Sequence, residues 1–289
     1  MTDSSAPILV TGAGVTGGEV LRQLVASNLP SRTLVRNPQR AESYAKVGVE
    51  LIEGDFDDLD SWKRALEGVT KVFSITTQDP NAERWNAIFL DAARNAGLEQ
   101  VVRLSGTSVS PTSAAQFHRM MGRCDEALKA SGLAYTILQA NVFYQNMLVM
   151  ARLIREHGVF RSAVGDARIS MIDVRDIAAV AVKTLTENGH VSSVYTLTGP
   201  EALTYFDVAR LLSEAIGKPI RYKALDEDAA VKSMVGLGMP EALARSRVEI
   251  HRSFSNGNFT PVTNDVSKLL GRPARPFTEF ARDYAARFR

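Results

Sequence analysis

The chain has 289 residues, 45% of them apolar and 23% charged, and its 34 basic residues nearly balance 32 acidic ones, a composition that excludes disorder, membrane residence and a basic face for direct nucleic-acid binding. The single Cys124 excludes an internal disulfide, and His118, His157, His190 and His251 show no metal-ligand spacing, so no metal is expected. No basic and apolar leader opens the sequence and no segment runs roughly 18 apolar residues without charge, so a cytoplasmic location is expected.

Ile8–Val10 form a short apolar run into a glycine-rich turn, as in a strand buried on both faces of a parallel sheet. From Gly18 onward Val20, Leu21, Leu24 and Val25 recur at helical spacing until Asn28-Leu29-Pro30 ends the pattern. Apolar runs follow at Thr33–Val35, Val49–Ile52, Val72–Ile75, Val101–Leu104 and Tyr135–Leu138, with helical stretches between them. The helix before the fifth run places Trp85, Phe89, Ala92, Ala93 and Ala96 on one face and stops at Gly97; the next, near 114–131, stops at Gly132. This alternation predicts an α/β fold, a doubly wound Rossmann-like parallel sheet with ligands at the carboxyl ends of its strands.

After Tyr144 the rhythm is irregular. The pattern predicts a helical stretch to His157, turns at Gly158 and Gly165, and a short strand near Ile169–Ile172. Thr204-Tyr205-Phe206-Asp207 reads as a capping box opening a helix to Ile216. The division expected is a dinucleotide-binding domain over 1–155 and a smaller C-terminal α/β cap domain over 156–289. Within the latter, about 169–199, with Val174–Leu185 and Val194–Leu197, read as a helix and strand that fit equally as part of the cap or as a return to the main sheet.

The turn Thr11-Gly12-Ala13-Gly14-Val15-Thr16-Gly17-Gly18 lies between strand and helix and contains Gly12-x-Gly14-x-x-Gly17. Glycines permit the tight turn and let backbone N–H groups reach a pyrophosphate, whose charge the helix amino terminus stabilises. Glu19 stands where a P-loop would place its lysine, which excludes that motif. The second strand ends at Arg36, where an NAD-specific site would place an acidic residue on the ribose 2′-hydroxyl. A guanidinium suits a 2′-phosphate, so NADP(H) is favoured over NAD(H), with Arg40 a candidate helper. Gly54-Asp55-Phe56 follows the third strand, where a carboxylate and a ring can bracket adenine; Asp57, Asp58 and Asp60 read as caps of the next helix.

Together TGAGVTGG, LVRNPQRA, EGDFDD, VVRLSG, LKASGLAYTILQANVFYQNML and ISMIDVRDIAAVAV resemble the atypical short-chain dehydrogenase/reductases, in the NmrA-like branch that includes NADPH-dependent quinone and dye reductases. The resemblance covers nearly the whole chain and implies a Rossmann-like domain with a smaller C-terminal domain. Its usual Gly-x-x-Gly-x-x-Gly maps onto Gly12, Val15 and Gly18, so Val15 departs from the pattern, and a β-branched residue there is expected to weaken cofactor binding unless Gly14 and Gly17 reshape the loop. The branch's arginine and proline after the sixth strand are Gln139 and Ala140 here. By position, Thr76, Thr77 and Ser105 flank the ribose and nicotinamide, and Asn141, Phe143, Tyr144 and Asn146 are candidates for the substrate cleft.

None of the seven tyrosines has a lysine four residues later, so the Tyr-x-x-x-Lys dyad of the wider short-chain dehydrogenases is missing and alcohol–carbonyl chemistry by that route is disfavoured. The helix expected to carry it offers His118 as a weak catalytic candidate. The reading is an NAD(P)H-dependent reductase passing hydride to a small planar quinone, dye or other conjugated acceptor, with a homodimer as a further expectation. Two alternatives stay open: a non-catalytic redox sensor acting through a protein partner, and a secondary-metabolite tailoring protein with a degenerate cofactor site.

Overall fold

A computed structural model describes residues 6–75 and 78–289. Among the described residues nine strands form, β1 Ile8–Val10, β2 Ser31–Val35, β3 Glu50–Glu53, β4 Lys71–Ile75, β5 Gln100–Gly106, β6 Tyr135–Ala140, β7 Val159–Ser162, β8 Ser193–Leu197 and β9 Arg221–Ala224. The helices of the first half are α1 Val15–Ala26, α2 Glu42–Ala45, α3 Leu59–Leu66, α4 Ala82–Arg94 and α5 Gln116–Lys129. The second half carries α6 Ala151–His157, α7 Val174–Thr186, α8 Tyr205–Ile216, α9 Glu227–Gly236, α10 Glu241–Phe254, α11 Asp265–Leu270, α12 Phe277–Asp283 and α13 Ala285–Phe288. No helix among the described residues is long and apolar enough to cross a membrane.

Seven strands join in the order β3-β2-β1-β4-β5-β6-β8, and the pairings of β1 with β2 and β4, of β2 with β3 and of β4 with β5 are parallel. This is the doubly wound, Rossmann-like α/β arrangement. The order reverses between β1 and β4, so right-handed crossovers put α1 on one face and the packed pair α3 and α4 on the other, while α7, reached only after the long excursion of chain between β6 and β8, packs on α1. The reversal opens a crevice at the carboxyl ends of β1 and β4, where Ile75 N donates to Thr11 Oγ1 at 2.9 Å.

The chain divides into two compact units that interleave along the sequence. Unit 1 takes the chain to Gly106, then Met120–Gln139 and Val174–Tyr195; unit 2 takes Thr107–Arg119, Ala140–Asp173 and Thr196–Arg289. The division is therefore several exchanges of chain between units and not one cut at 155. The connection after β5 belongs to unit 2, and α7 belongs to unit 1 because it packs on α1.

Unit 1 buries Leu9, Leu34, Trp62, Val72, Phe89, Val101 and Leu128 in one cluster. Unit 2 gathers Tyr144, Phe160, Tyr205, Phe277, Phe280 and Phe288, so aromatic rings fill it. Its regular strands are only β7 and β9, paired in parallel with Val159 opposite Arg221. The strand expected at Ile169–Ile172 is absent; Ile169 bridges Leu203 and Ile172 bridges Phe143, each an isolated contact. The capping box forms as read, with the Thr204 hydroxyl accepting from Asp207 N at 3.0 Å and the Asp207 carboxylate accepting from Thr204 N at 3.0 Å.

Candidate functional site

The glycine-rich turn has the shape a pyrophosphate requires. Gly14 caps α1 with extended backbone, no side chain among the described residues makes a cap hydrogen bond to the helix end, and no acidic residue stands in its first turn. A Cβ built on Gly12 or Gly14 meets nothing within 4 Å, so the approach to both is open. Gly17 is the opposite case: a Cβ there would lie 1.7 Å from the Gly12 carbonyl oxygen and 2.8 Å from Ile75 Cδ1. On Gly18 it would lie 2.1 Å from the Tyr44 hydroxyl. The first two glycines thus leave room for a ligand, Gly17 lets the helix approach the turn and β4, and Gly18 makes room for the Tyr44 hydroxyl of α2. Val15 is the first residue of α1 and its side chain is 65% exposed, so it points into open space and not across the turn; Thr16 is buried.

After β2, Arg36 and Arg40 are exposed, and neither has an ion-pair partner among the described residues. Asn37 caps the short turn between them, accepting from Arg40 N. After β3, Asp55 is exposed and one carboxylate oxygen accepts from Asp57 N at 3.0 Å. Phe56 is half-buried, stacked on Trp62 at 5.2 Å and edge-on to Trp85 at 5.5 Å, and these rings border a small cavity with Thr11, Ser74 and Asn86. Asp58 caps α3, and hydrogen bonding by the Ser61 hydroxyl holds its carboxyl below the ordinary carboxylate range. Thr76 and Thr77 lie outside the described residues.

Ser105 is buried, and its hydroxyl donates to Asp125 at 2.5 Å. The other Asp125 oxygen accepts from Arg103 Nε at 2.6 Å, and Arg103, 1% exposed, also reaches Asn86 Oδ1 at 3.4 Å. One Arg103 nitrogen has no hydrogen-bond partner among the described residues. Sequence reasoning missed this network, although an arginine amid Val101, Val102 and Leu104 in a strand buried on both faces was its signal.

In unit 2 the substrate candidates separate. Asn141 is 2% exposed, and its side-chain amide donates to Ser170 Oγ at 2.8 Å and to the Phe259 carbonyl at 2.9 Å. Tyr144 is wholly buried against Phe277 and Phe280, its hydroxyl donating to the Arg275 carbonyl at 3.3 Å. Both are interior packing, fixing the segment on either side of the half-buried Phe143; Asn146 is exposed.

His118, on the first turn of α5, lines a cleft of about 410 Å³ together with Ser108, Glu249, Arg252, Asn256 and Asn258. Burial pushes its imidazole below the ordinary histidine value. Its ring lies 5.9 Å from that of Phe259, which packs edge-on to Phe254 at 4.8 Å. Ser108 holds a left-handed backbone at φ 60°, a conformation that a residue with a side chain adopts at some energetic cost. The two walls come from segments far apart in sequence, so no local motif announced the cleft.

Comparison with known proteins agrees with this architecture: the NmrA-like family model matches residues 4–280. The chain belongs to the NmrA-like family. Among its relatives in this family, NAD(P)H azoreductase of Xenophilus azovorans is 40% identical over 97% of this chain and 98% of its own length. Quinone oxidoreductase 2 of Escherichia coli is 30% identical over 94% of this chain and 96% of its own. Among solved structures, the NADPH complex of the NADPH-dependent quinone oxidoreductase of Escherichia coli aligns with a TM-score of 0.86 at 28% identity, covering 96% of this chain and 99% of that one. Citrobacter triphenylmethane reductase complexed with NADP(H) aligns at 0.85 and 25% identity, again over 96% and 99%.

Proposed function

We propose that the protein is an NADPH-dependent reductase that passes hydride to a quinone, dye or similar conjugated acceptor. The observation that carries this reading is the uncovered glycine turn at the sheet's switch point, with the exposed Arg36 lacking an ion-pair partner at the end of the neighbouring strand. The names of the family relatives, an NAD(P)H azoreductase and a quinone oxidoreductase, support the acceptor class.

Backbone N–H groups of Gly12, Gly14, Val15, Thr16 and Gly17 face the pyrophosphate at the amino end of α1. Arg36, helped by Arg40, offers forked donors to the 2′-phosphate that NADH lacks. Asp55 and Phe56 border the adenine, and Thr76 and Thr77, after β4, and Ser105, near the end of β5, belong to strands whose carboxyl ends flank the ribose and nicotinamide. NADPH, when bound, supplies a hydride from its nicotinamide ring. A conjugated acceptor takes hydride without the missing Tyr-x-x-x-Lys dyad, so the chain's work is to position the acceptor and exclude water. Among the four substrate candidates, Phe143 is the one with ring surface left to meet it, while Asn141 and Tyr144 hold its backbone.

Titration with NADPH and NADH, followed by addition of menadione or crystal violet, tests this reading. NADPH binds more tightly and is consumed with either acceptor. Arg36→Ala weakens NADPH binding about tenfold and leaves NADH within about twofold, as expected for the loss of one charge-assisted contact; equal losses for both remove the role of Arg36. Cofactor binding without turnover returns the redox-sensor reading.

A further inference from the structure

The cleft in unit 2 contains a polar group with unused capacity. His118 is 7% exposed, lines the cleft, and has no hydrogen-bond partner for either ring nitrogen among the described residues. Buried polar groups are almost always paired, so an imidazole left open toward a cavity calls for a ligand. The charged groups beside it are already engaged. Glu249 accepts from Gln116 N at 3.1 Å, and Arg252 forms a forked pair with Glu227 whose Nε contact is 2.6 Å. Arg119, next to His118 on α5, donates to the carbonyls of Ser113 and Ala114. These partners hold the charged side chains in place, and His118 lines the cleft beside them.

The rest of the geometry defines the ligand further. The His118 ring lies 30° from the plane of Phe259, and Phe254 packs edge-on to Phe259, so the ring beside His118 belongs to an aromatic pair. The chain that supplies Ser108 and His118 continues directly from the carboxyl end of β5, the end of the sheet strands where ligands bind in this fold.

We propose that this cleft receives the polar end of the conjugated acceptor and that a His118 ring N–H donates a hydrogen bond to its carbonyl oxygen or azo nitrogen. The proposal rests on the reductase reading above and adds the place and the polar contact. His118 acts here as a neutral donor, since its burial disfavours the charged ring. Glu249 and Arg252 of α10 and Arg119 of α5 are the other charged groups around it. The proton that completes a quinone's reduction to the hydroquinone comes from water.

Two acceptors separate this role from a structural one. Menadione has carbonyl oxygens that gain negative charge as hydride arrives. Crystal violet takes hydride at its central carbon to give the uncharged leuco dye, with no proton and no such oxygen. Removing the donor by His118→Phe lowers the ratio of kcat/KM for menadione to that for crystal violet about tenfold, and His118→Gln, which keeps an N–H, restores it to within about threefold. Calorimetry without cofactor shows weaker menadione binding to His118→Phe than to the parent. In the parent the ratio stays level from pH 6.5 to 8, because a neutral donor does not titrate there. If His118→Phe does not fold, His118→Leu carries the same test. Parallel loss of both activities, an unchanged ratio, or a ratio that falls as pH rises overturns the proposal. A parent protein that binds NADPH and reduces neither acceptor fails at the reductase reading itself.

Discussion

Units 1 and 2 each bury a core, but they specify it differently. In unit 1 one motif repeats, strand then helix then parallel strand, and each repeat adds its apolar run at an edge of the growing sheet, on one side of β1 as far as β3 and on the other from β4 onward. Its unusual investment is polar, a buried Arg103–Asp125–Ser105 network across β5 and α5. Unit 2 has a two-stranded sheet and short helices, and its rings come from segments spread from Tyr144 to Phe288. Local repetition makes the first unit regular, whereas long-range aromatic packing lets the second be irregular and still solid.

The contrast can be broken at its most expensive point first. Asp125→Ala strands a buried guanidinium and should destabilise the protein by roughly 3–5 kcal/mol in urea denaturation; a loss under about 1 kcal/mol would show that water replaces the carboxylate. Gly17→Val forces a side chain onto the Gly12 carbonyl, and about 3 kcal/mol of stability and the NADPH site should go together. Retained binding would mean that the turn moves without harm.

In unit 2 the lever is pH. Burial, with a smaller effect from Arg247, pushes His251 down to about 4 from an ordinary 6.5. The unfolded chain therefore binds this proton first as pH falls. Stability is complete above about 6.5 and declines toward pH 4, by an amount on the order of 3 kcal/mol. His251→Phe should flatten that stretch of a stability-versus-pH curve, and an unchanged slope would assign it to other groups. The smallest effect belongs to Val15. Because its side chain stands in the open, Val15→Gly should change NADPH affinity by less than about threefold and cost no more than about 1 kcal/mol of helix stability.

Legibility followed the same division. The strands of unit 1, the stops at Gly97 and Gly132 and the Thr204 capping box were readable because each is set by residues a few positions apart. For α7 and β8 the apolar spacing showed a helix and a strand but left open whether they stay in the cap or join the main sheet, because that depends on packing against α1 and pairing beside β6. The four-residue strands Val-Phe-Arg-Ser and Arg-Tyr-Lys-Ala carry too little periodicity to announce themselves, since their pairing is decided by partners about sixty positions away. At the site, the glycine turn and Arg36 are local and were visible. Asn141 and Tyr144 read as cleft residues but are interior, because polarity and aromaticity do not reveal which way a side chain faces. The cleft at His118 depends on a wall contributed by α10 and the residues after it, which no nearby residue foretells.

The position of β8 governs the order in which the protein can be made. The sheet's last strand lies beside β6, yet Ser193–Leu197 leave the ribosome long after Tyr135–Ala140. Until then β6 is an open edge of apolar residues, a template on which a second nascent chain can add. The delay gives this fold a high contact order and a vulnerable interval during synthesis, when chaperones that cover exposed strands matter most. Once β8 docks, that interval ends.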